Sequence, residues 1–169
     1  MQLKELQEAL NKFGKYVVQQ SRTNLTKGRK NASKKLYDSL NYAIENKEGN
    51  LSIVFDMEDY GEFQDKGVSG KKIKYNTPYS YKTKMPPPNK LDKWIVRKGL
   101  KGTRDEKGKF ISRKSLQFII ARSIYNKGIK PSLFFTRPFE KAYERLPDEL
   151  REKFILDIEK EFDNYGNKN

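Results

Sequence analysis

At 169 residues, with 36 Lys and Arg against 22 Asp and Glu, the chain is long enough for one real core and carries a net charge of +14 over a strongly hydrated surface; a domain near this size removes roughly 70% of its unfolded surface from water. It contains no Cys and no His, which excludes disulfides, zinc-thiolate sites, thiolate nucleophiles and the usual proton shuttle at neutral pH. No apolar run approaches the roughly 20 residues that span a bilayer, and the opening Met1-Gln-Leu-Lys-Glu-Leu6 is amphipathic without a signal-peptide centre, so a soluble protein made in a cytoplasm is expected.

Leu3, Leu6, Leu10, Phe13 and Val17 recur at steps of three and four, which predicts an amphipathic helix over 2–20. Its stripe faces the core or a neighbouring subunit. Ser21 to Lys35 is polar and basic and reads as a loop. Leu51, Ile53 and Phe55 then alternate with Ser52, Val54 and Asp56, and Asn46-Lys-Glu-Gly-Asn50 supplies turn residues with Gly49 available for positive φ. An antiparallel hairpin within 36–57 is the economical reading, with Leu36 and Leu40 open to a short helical turn before it. In the acidic segment 56–67, Tyr60 and Phe63 are expected to point inward, and Gly67 ends it.

Ile73 and Tyr75 alternate with lysines as a short strand, after which Pro78 and Met85-Pro-Pro-Pro88 forbid regular pairing. Leu91, Trp94 and Ile95 predict a helix over 89–98 stopped by Gly99, and 102–110 is a polar loop. Ser112 or Ser115 caps the next helix, whose buried stripe is Leu116, Ile119, Ile120, Ala121 and Ile124 and whose stop is Gly128. An extended connector follows over 130–135, then a helical region opened by the Thr136 hydroxyl and Pro138. Leu146-Pro147 marks a break, and Leu150, Phe154, Ile155, Ile158 and Phe162 form the stripe of a final helix with an acidic exposed face. The fold class is α+β: a single domain over 1–169, a small antiparallel sheet packed by amphipathic helices, with 68–112 as a long basic loop and helix excursion.

The positive charge is local. Residues 64–130 hold 19 Lys and Arg against 4 acids, whereas 1–63 hold 10 against 9 and 131–169 hold 7 against 9. Such a block belongs beside a polyanion: DNA, RNA or an acidic protein surface. Lys71, Lys72, Lys74, Lys82 and Lys84 interleave with Tyr75, Tyr79 and Tyr81, so lysines could meet phosphates while rings pack on bases; lysines in water and tyrosines on the core is the competing arrangement. Lys98, Lys101, Arg104, Lys107, Lys109, Arg113 and Lys114 continue the run as the channel-facing or partner-facing set. No recognition helix stands out, so DNA contact is expected through phosphate, insensitive to sequence. Tyr60, Phe63, Trp94, Ile120 and Phe135 are the expected structural anchors.

Catalysis finds little material. Asp56, Glu58, Asp59, Glu62 and Asp65 are the acids from which a metal-dependent nuclease would have to be built, but adjacent acids on a turn point to different sides, and a solvated turn offsetting nearby lysines is the simpler reading. The glycines lack phosphate-loop spacing. No metal, no cofactor and no enzymatic activity are expected.

Two stretches carry a resemblance: Met85-Pro-Pro-Pro-Asn-Lys-Leu-Asp-Lys-Trp-Ile-Val-Arg-Lys-Gly99, and Phe118-Ile-Ile-Ala-Arg-Ser-Ile-Tyr-Asn-Lys-Gly-Ile-Lys-Pro-Ser-Leu-Phe-Phe135 followed by Arg137-Pro-Phe139. With Tyr60-Gly-Glu-Phe63 through Gly67, and the order of elements over about 36–143, they resemble the tail-completion, or head-tail joining, proteins of tailed bacteriophages. The stretch 71–110 is longer than minimal members carry. The resemblance implies a structural virion protein of the neck, assembled in the host cytoplasm as a homo-oligomeric ring of about six or twelve copies. Its implied neighbours are connector and tail-tube or tail-terminator proteins, with non-specific genomic DNA in the channel and no membrane. A sequence-independent nucleic-acid-binding protein is the alternative.

Overall fold

Leu10, Phe13, Val17, Ser21 and Leu25 step along one helix face, and all five are buried. That continuous stripe carries the first helix, α1 (Lys4–Lys27), about two turns past the expected end near residue 20. Arg22 pins the added turns: its guanidinium donates to the carbonyl oxygens of Tyr37 at 3.1 Å and Leu40 at 2.8 Å. The segment expected as a loop over 21–35 is therefore helical in its first half. The computed structural model describes residues 3–47, 50–100, 104 and 106–166, with side chains through residue 160.

After a short helix α2 (Lys35–Ser39), β1 (Asn41–Lys47) and β2 (Asn50–Asp56) pair antiparallel, with Asn41 opposite Asp56 and Ile44 opposite Ile53. The period of two puts Tyr42, Ile44, Leu51, Ile53 and Phe55 on one face, half-buried, and leaves Ala43, Ser52 and Val54 outside. Gly49, read as the turn glycine, lies outside the described residues. The inner face packs on Leu10, Phe13 and Val17, joined by Leu146 and by Phe135 and Phe139. Phe13 meets Phe55 and Phe139 edge to face, with ring centroids 6.0 and 5.6 Å apart. Gly14 lets the hairpin approach α1, since a Cβ there would lie 2.4 Å from the Tyr42 ring.

The remaining elements are α3 (Tyr60–Lys66), β3 (Val68–Ser69), a 3-10 turn (Pro88–Leu91), α4 (Asp92–Arg97), α5 (Arg113–Lys127), β4 (Gly128–Ile129), α6 (Thr136–Tyr143) and α7 (Leu146–Gly166). The fold is α+β. By its contacts the chain forms two compact units: Met1–Lys27, Tyr37–Glu58 and Phe134–Asn169 make the first, Gly28–Leu36 and Asp59–Leu133 the second. The expected excursion over 68–112 lies within the second unit.

In the first unit, α7 lies along α1. Leu146, Leu150, Lys153, Asp157 and Lys160, at steps of four and three, turn toward α1. Leu3, preceding α1, has no side-chain acceptor, and the Asp157 carboxylate takes that role: it accepts the backbone N–H of Glu5 at 3.1 Å and of Leu6 at 3.0 Å while itself only 3% exposed. Glu5 accepts from Lys160 at 2.5 Å and Lys153 at 2.9 Å, and these two ammonium groups hold its carboxyl down to about 2. Only part of the expected α7 stripe is inward: Leu150 and Ile158 are half-buried, Phe154 and Ile155 are exposed, and the Phe162 side chain lies outside the described residues. Phe135, not Thr136, stands at the N-cap of α6, and its side chain makes no capping hydrogen bond.

In the second unit, the strand expected around Ile73 and Tyr75 is replaced by a different arrangement. The N–H groups of Lys71, Lys72 and Ile73 go to the carbonyls of Tyr125 and Asn126 at the end of α5, which leaves them nothing for a ladder. Pairing occurs instead between β3 and β4, Val68 opposite Ile129. Gly128, at φ 76°, makes this possible, because a Cβ there would lie 2.1 Å from the Val68 carbonyl oxygen. The helix expected over 89–98 forms as the 3-10 turn followed by α4, with Gly99 at φ 63°. Ser112 caps α5 by accepting from the Ser115 N–H at 3.1 Å. Of the stripe predicted as buried on α5, only Ala121 is; Leu116, Ile120 and Ile124 are half-buried and Ile119 is exposed.

Candidate functional site

Counting charges by unit sharpens the regional excess. The second unit holds 23 Lys and Arg against 6 Asp and Glu, a net of +17, whereas the first holds 13 against 16, a net of −3. The chain is thus a cationic body and a weakly acidic one joined covalently, and the cationic body is the candidate site.

All of the predicted basic set belongs to this second unit, but the side chains are differently employed. Lys98 is half-buried and donates to the Arg29 carbonyl oxygen at 2.5 Å. Arg104 stacks over the Phe110 ring at 4.1 Å and donates to the Gly108 carbonyl oxygen at 2.8 Å, which shapes the loop ahead of α5. Arg113 forks onto Asp92 at 2.6 and 2.9 Å, and Gln117 donates to the same carboxylate at 2.5 Å, so α5 is tied to α4. Arg113 holds the Asp92 carboxyl below its usual range. Lys107, Lys109 and Lys114 are exposed. Lys101 lies outside the described residues.

The predicted anchors separate into two groups. Phe135 is half-buried in the aromatic cluster of the first unit, 5.3 Å from Phe55 and 5.9 Å from Phe139, and Ile120 is half-buried on α5. Tyr60, Phe63 and Trp94 are surface residues, 43%, 40% and 38% exposed. Ile95 takes the buried place on α4, because the preceding position is turned about 100° round the helix.

Tyr60 and Phe63 do not point into a core; they line a groove of about 570 Å³ with Tyr79, Tyr81, Pro78 and Lys82, floored by Val68 and Ile129. The backbone explains how the tyrosines reach it. The Ser69 N–H donates to the Tyr79 carbonyl at 2.8 Å and the Tyr81 N–H to the Ser69 carbonyl at 2.9 Å, which hangs residues 79–81 on β3. Phe63 meets Tyr79 edge to face at 4.7 Å. Lys66, first, and the Tyr79 hydroxyl donate to Glu62 and hold its carboxyl low, while Glu62 in turn raises Lys66 and Tyr79. The acid at the rim is therefore already matched, and burial raises the Tyr81 hydroxyl. Lys71 lies 5.9 Å from the Tyr125 ring, and Lys74 donates to the Gly70 carbonyl oxygen.

Aromatic faces beside ammonium groups suit a polyanion that carries planar groups. Among the described residues no cluster of three or more Asp or Glu is placed to hold a metal ion. Glu62 is paired with Lys66, and Asp65 is buried. The groove was not legible as a site. Lysine and tyrosine interleaving marked the segment, but nothing local said that a two-residue strand would collect four rings on one side. No protein-family model, curated protein or solved structure matches the chain.

Proposed function

We propose that this chain is a structural subunit of a tailed-phage neck, which assembles as a ring between head connector and tail and helps seal or stabilise the DNA channel. One observation carries the reading: a net charge of +17 is gathered in one unit while the other is at −3. A subunit that must meet packaged DNA or an acidic neighbouring surface, another copy's included, through one of its units is served by that division. Lys98, Lys101, Arg104, Lys107, Lys109, Arg113 and Lys114 belong on the charged side, with Arg113 also holding α4. Binding and geometry are the whole mechanism, without catalysis. The sequence resemblance supplies the virion setting, and the α+β fold agrees with it.

Gradient fractionation of particles from infected cells tests this. The protein should sediment with tailed particles in multiple copies, and particles made without it should carry full heads lacking joined tails. A protein found only in the soluble fraction sinks the reading.

The aromatic groove favours a second reading, a sequence-independent nucleic-acid-binding protein. In that case the isolated monomer binds duplex or single-stranded DNA with a steep salt dependence, and reversing Lys107 and Lys109 lowers the log-log slope by about two. A slope near zero for the wild-type monomer rules this second reading out.

A further inference from the structure

Two helix faces leave large apolar side chains in water, and their charged surroundings are opposite. On α7, Phe154 beside and Ile155 opposite the residues that face α1 are 43% and 49% exposed; Glu152 and Glu159 lie one turn before and after Ile155, and Arg151, one turn before the pair, is matched by Asp148 at 3.4 Å. On α5, Phe118 and Ile119 are 49% and 50% exposed, with Lys114 and Arg122 one turn to either side of Phe118. The α5 segment contains no acid at all. Beside Phe118 opens a recess of about 390 Å³ lined also by Lys72, Met85, Arg122 and Tyr125. Scattered apolar residues on a surface mean little, but adjacent pairs on a helix face, with a rim wholly cationic on α5 and predominantly acidic on α7, are the pattern of a contact surface.

We infer that the α7 face of one copy docks on the α5 face of a second copy, with Phe154 entering the recess beside Phe118 and with Glu152 and Glu159 opposed to Lys114 and Arg122. Charge complementarity selects this occupant: the acidic rim belongs to the unit at −3 and the cationic rim to the unit at +17. Two like faces would meet with like charges, so the contact is heterologous. Each copy spends one face of each kind, and the series closes as a ring or continues as a filament according to the rotation per step. The inference takes its biological setting from the ring reading above and names the surfaces that build the ring.

Sedimentation velocity of the full-length chain tests it with Glu152→Lys/Glu159→Lys and Lys114→Glu/Arg122→Glu, all at exposed positions, with folding verified by circular dichroism. The wild type should self-associate, and each reversal should weaken association by about tenfold or more. An equimolar mixture of the two variants should recover it, because lysines on one α7 then meet glutamates on the other α5. A wild type that stays monomeric, or a reversal without effect, overturns the inference. So does a mixture no stronger than its components while the fourfold variant alone recovers wild-type behaviour, since that would place both faces within one chain. Particle fractionation answers separately: a chain missing from particles but associating through these faces sinks only the virion reading, and a particle-bound chain indifferent to both reversals sinks only this one.

Discussion

Replacing Asp157 by alanine removes the carboxylate whose two oxygens accept from the first turn of α1. The amides of Glu5 and Leu6 lose acceptors at 3.1 and 3.0 Å. An N-cap acceptor is worth about 1 kcal/mol and up to about 2, and a negative charge at the positive end of a helix adds about 0.3 to 1 kcal/mol. At 3% exposure, water does not readily take the place of the carboxylate, which puts the cost in the upper half of that range. We expect about 2 kcal/mol for Asp157→Ala, about 30-fold in the folding constant. Asp157→Asn keeps one acceptor oxygen and loses the charge, so it should cost about 1 kcal/mol. Urea denaturation followed by far-ultraviolet circular dichroism gives the energies, and hydrogen exchange at the Glu5 and Leu6 amides localises them. An alanine variant within about 0.5 kcal/mol of the wild type, with both amides still protected, refutes the cap.

Glu5, held at about 2 against an ordinary 4.5 by Lys160 and Lys153, lends stability that is complete above about 4.5 and is lost as pH falls toward about 2; Glu5→Gln should remove that component from the acid-unfolding profile. Gly128→Ala forces φ 76° on an L residue and sets its Cβ against the Val68 carbonyl, so it should destabilise the second unit by at least about 2 kcal/mol, read as a shift in the urea midpoint of Trp94 fluorescence. Arg113→Ala releases the Asp92 carboxyl, whose titration should move upward when followed by nuclear magnetic resonance.

The elements legible in the sequence were those whose signal is local. The stripe from Leu6 to Val17 marks α1, the alternation from Leu51 to Phe55 marks β2, and Ser112, Gly99 and Gly128 mark ends that the backbone uses as such. Periodicity names a face without naming what covers it. Ile119 and Ile155 obey the helical spacing as well as Ala121 and Leu150 do, yet they stand in water. The pair β3 and β4 is two residues long in each strand, below any period, and exists because glycines allow close backbone approach. The cap from Asp157 spans 152 residues, so no local pattern announces it. For the candidate site, counting charges located the cationic body, while the division of labour within it, Arg113 on Asp92 and Arg104 on Phe110, needed the packed chain.

The arrangement of the first unit also sets a timetable for synthesis. α1 leaves the ribosome well ahead of its partners, and the residue that closes its first turn follows 152 positions later, a wait of roughly 8 to 30 s at ordinary elongation rates. Its core partners Phe135, Phe139 and Leu146 are nearly as late. The second unit, mostly one continuous segment, has all its parts earlier. Until those late partners emerge, Leu10, Phe13 and Val17 have only the β1–β2 hairpin to cover them on the nascent polypeptide, and this stretch is where a chaperone would have most to hold.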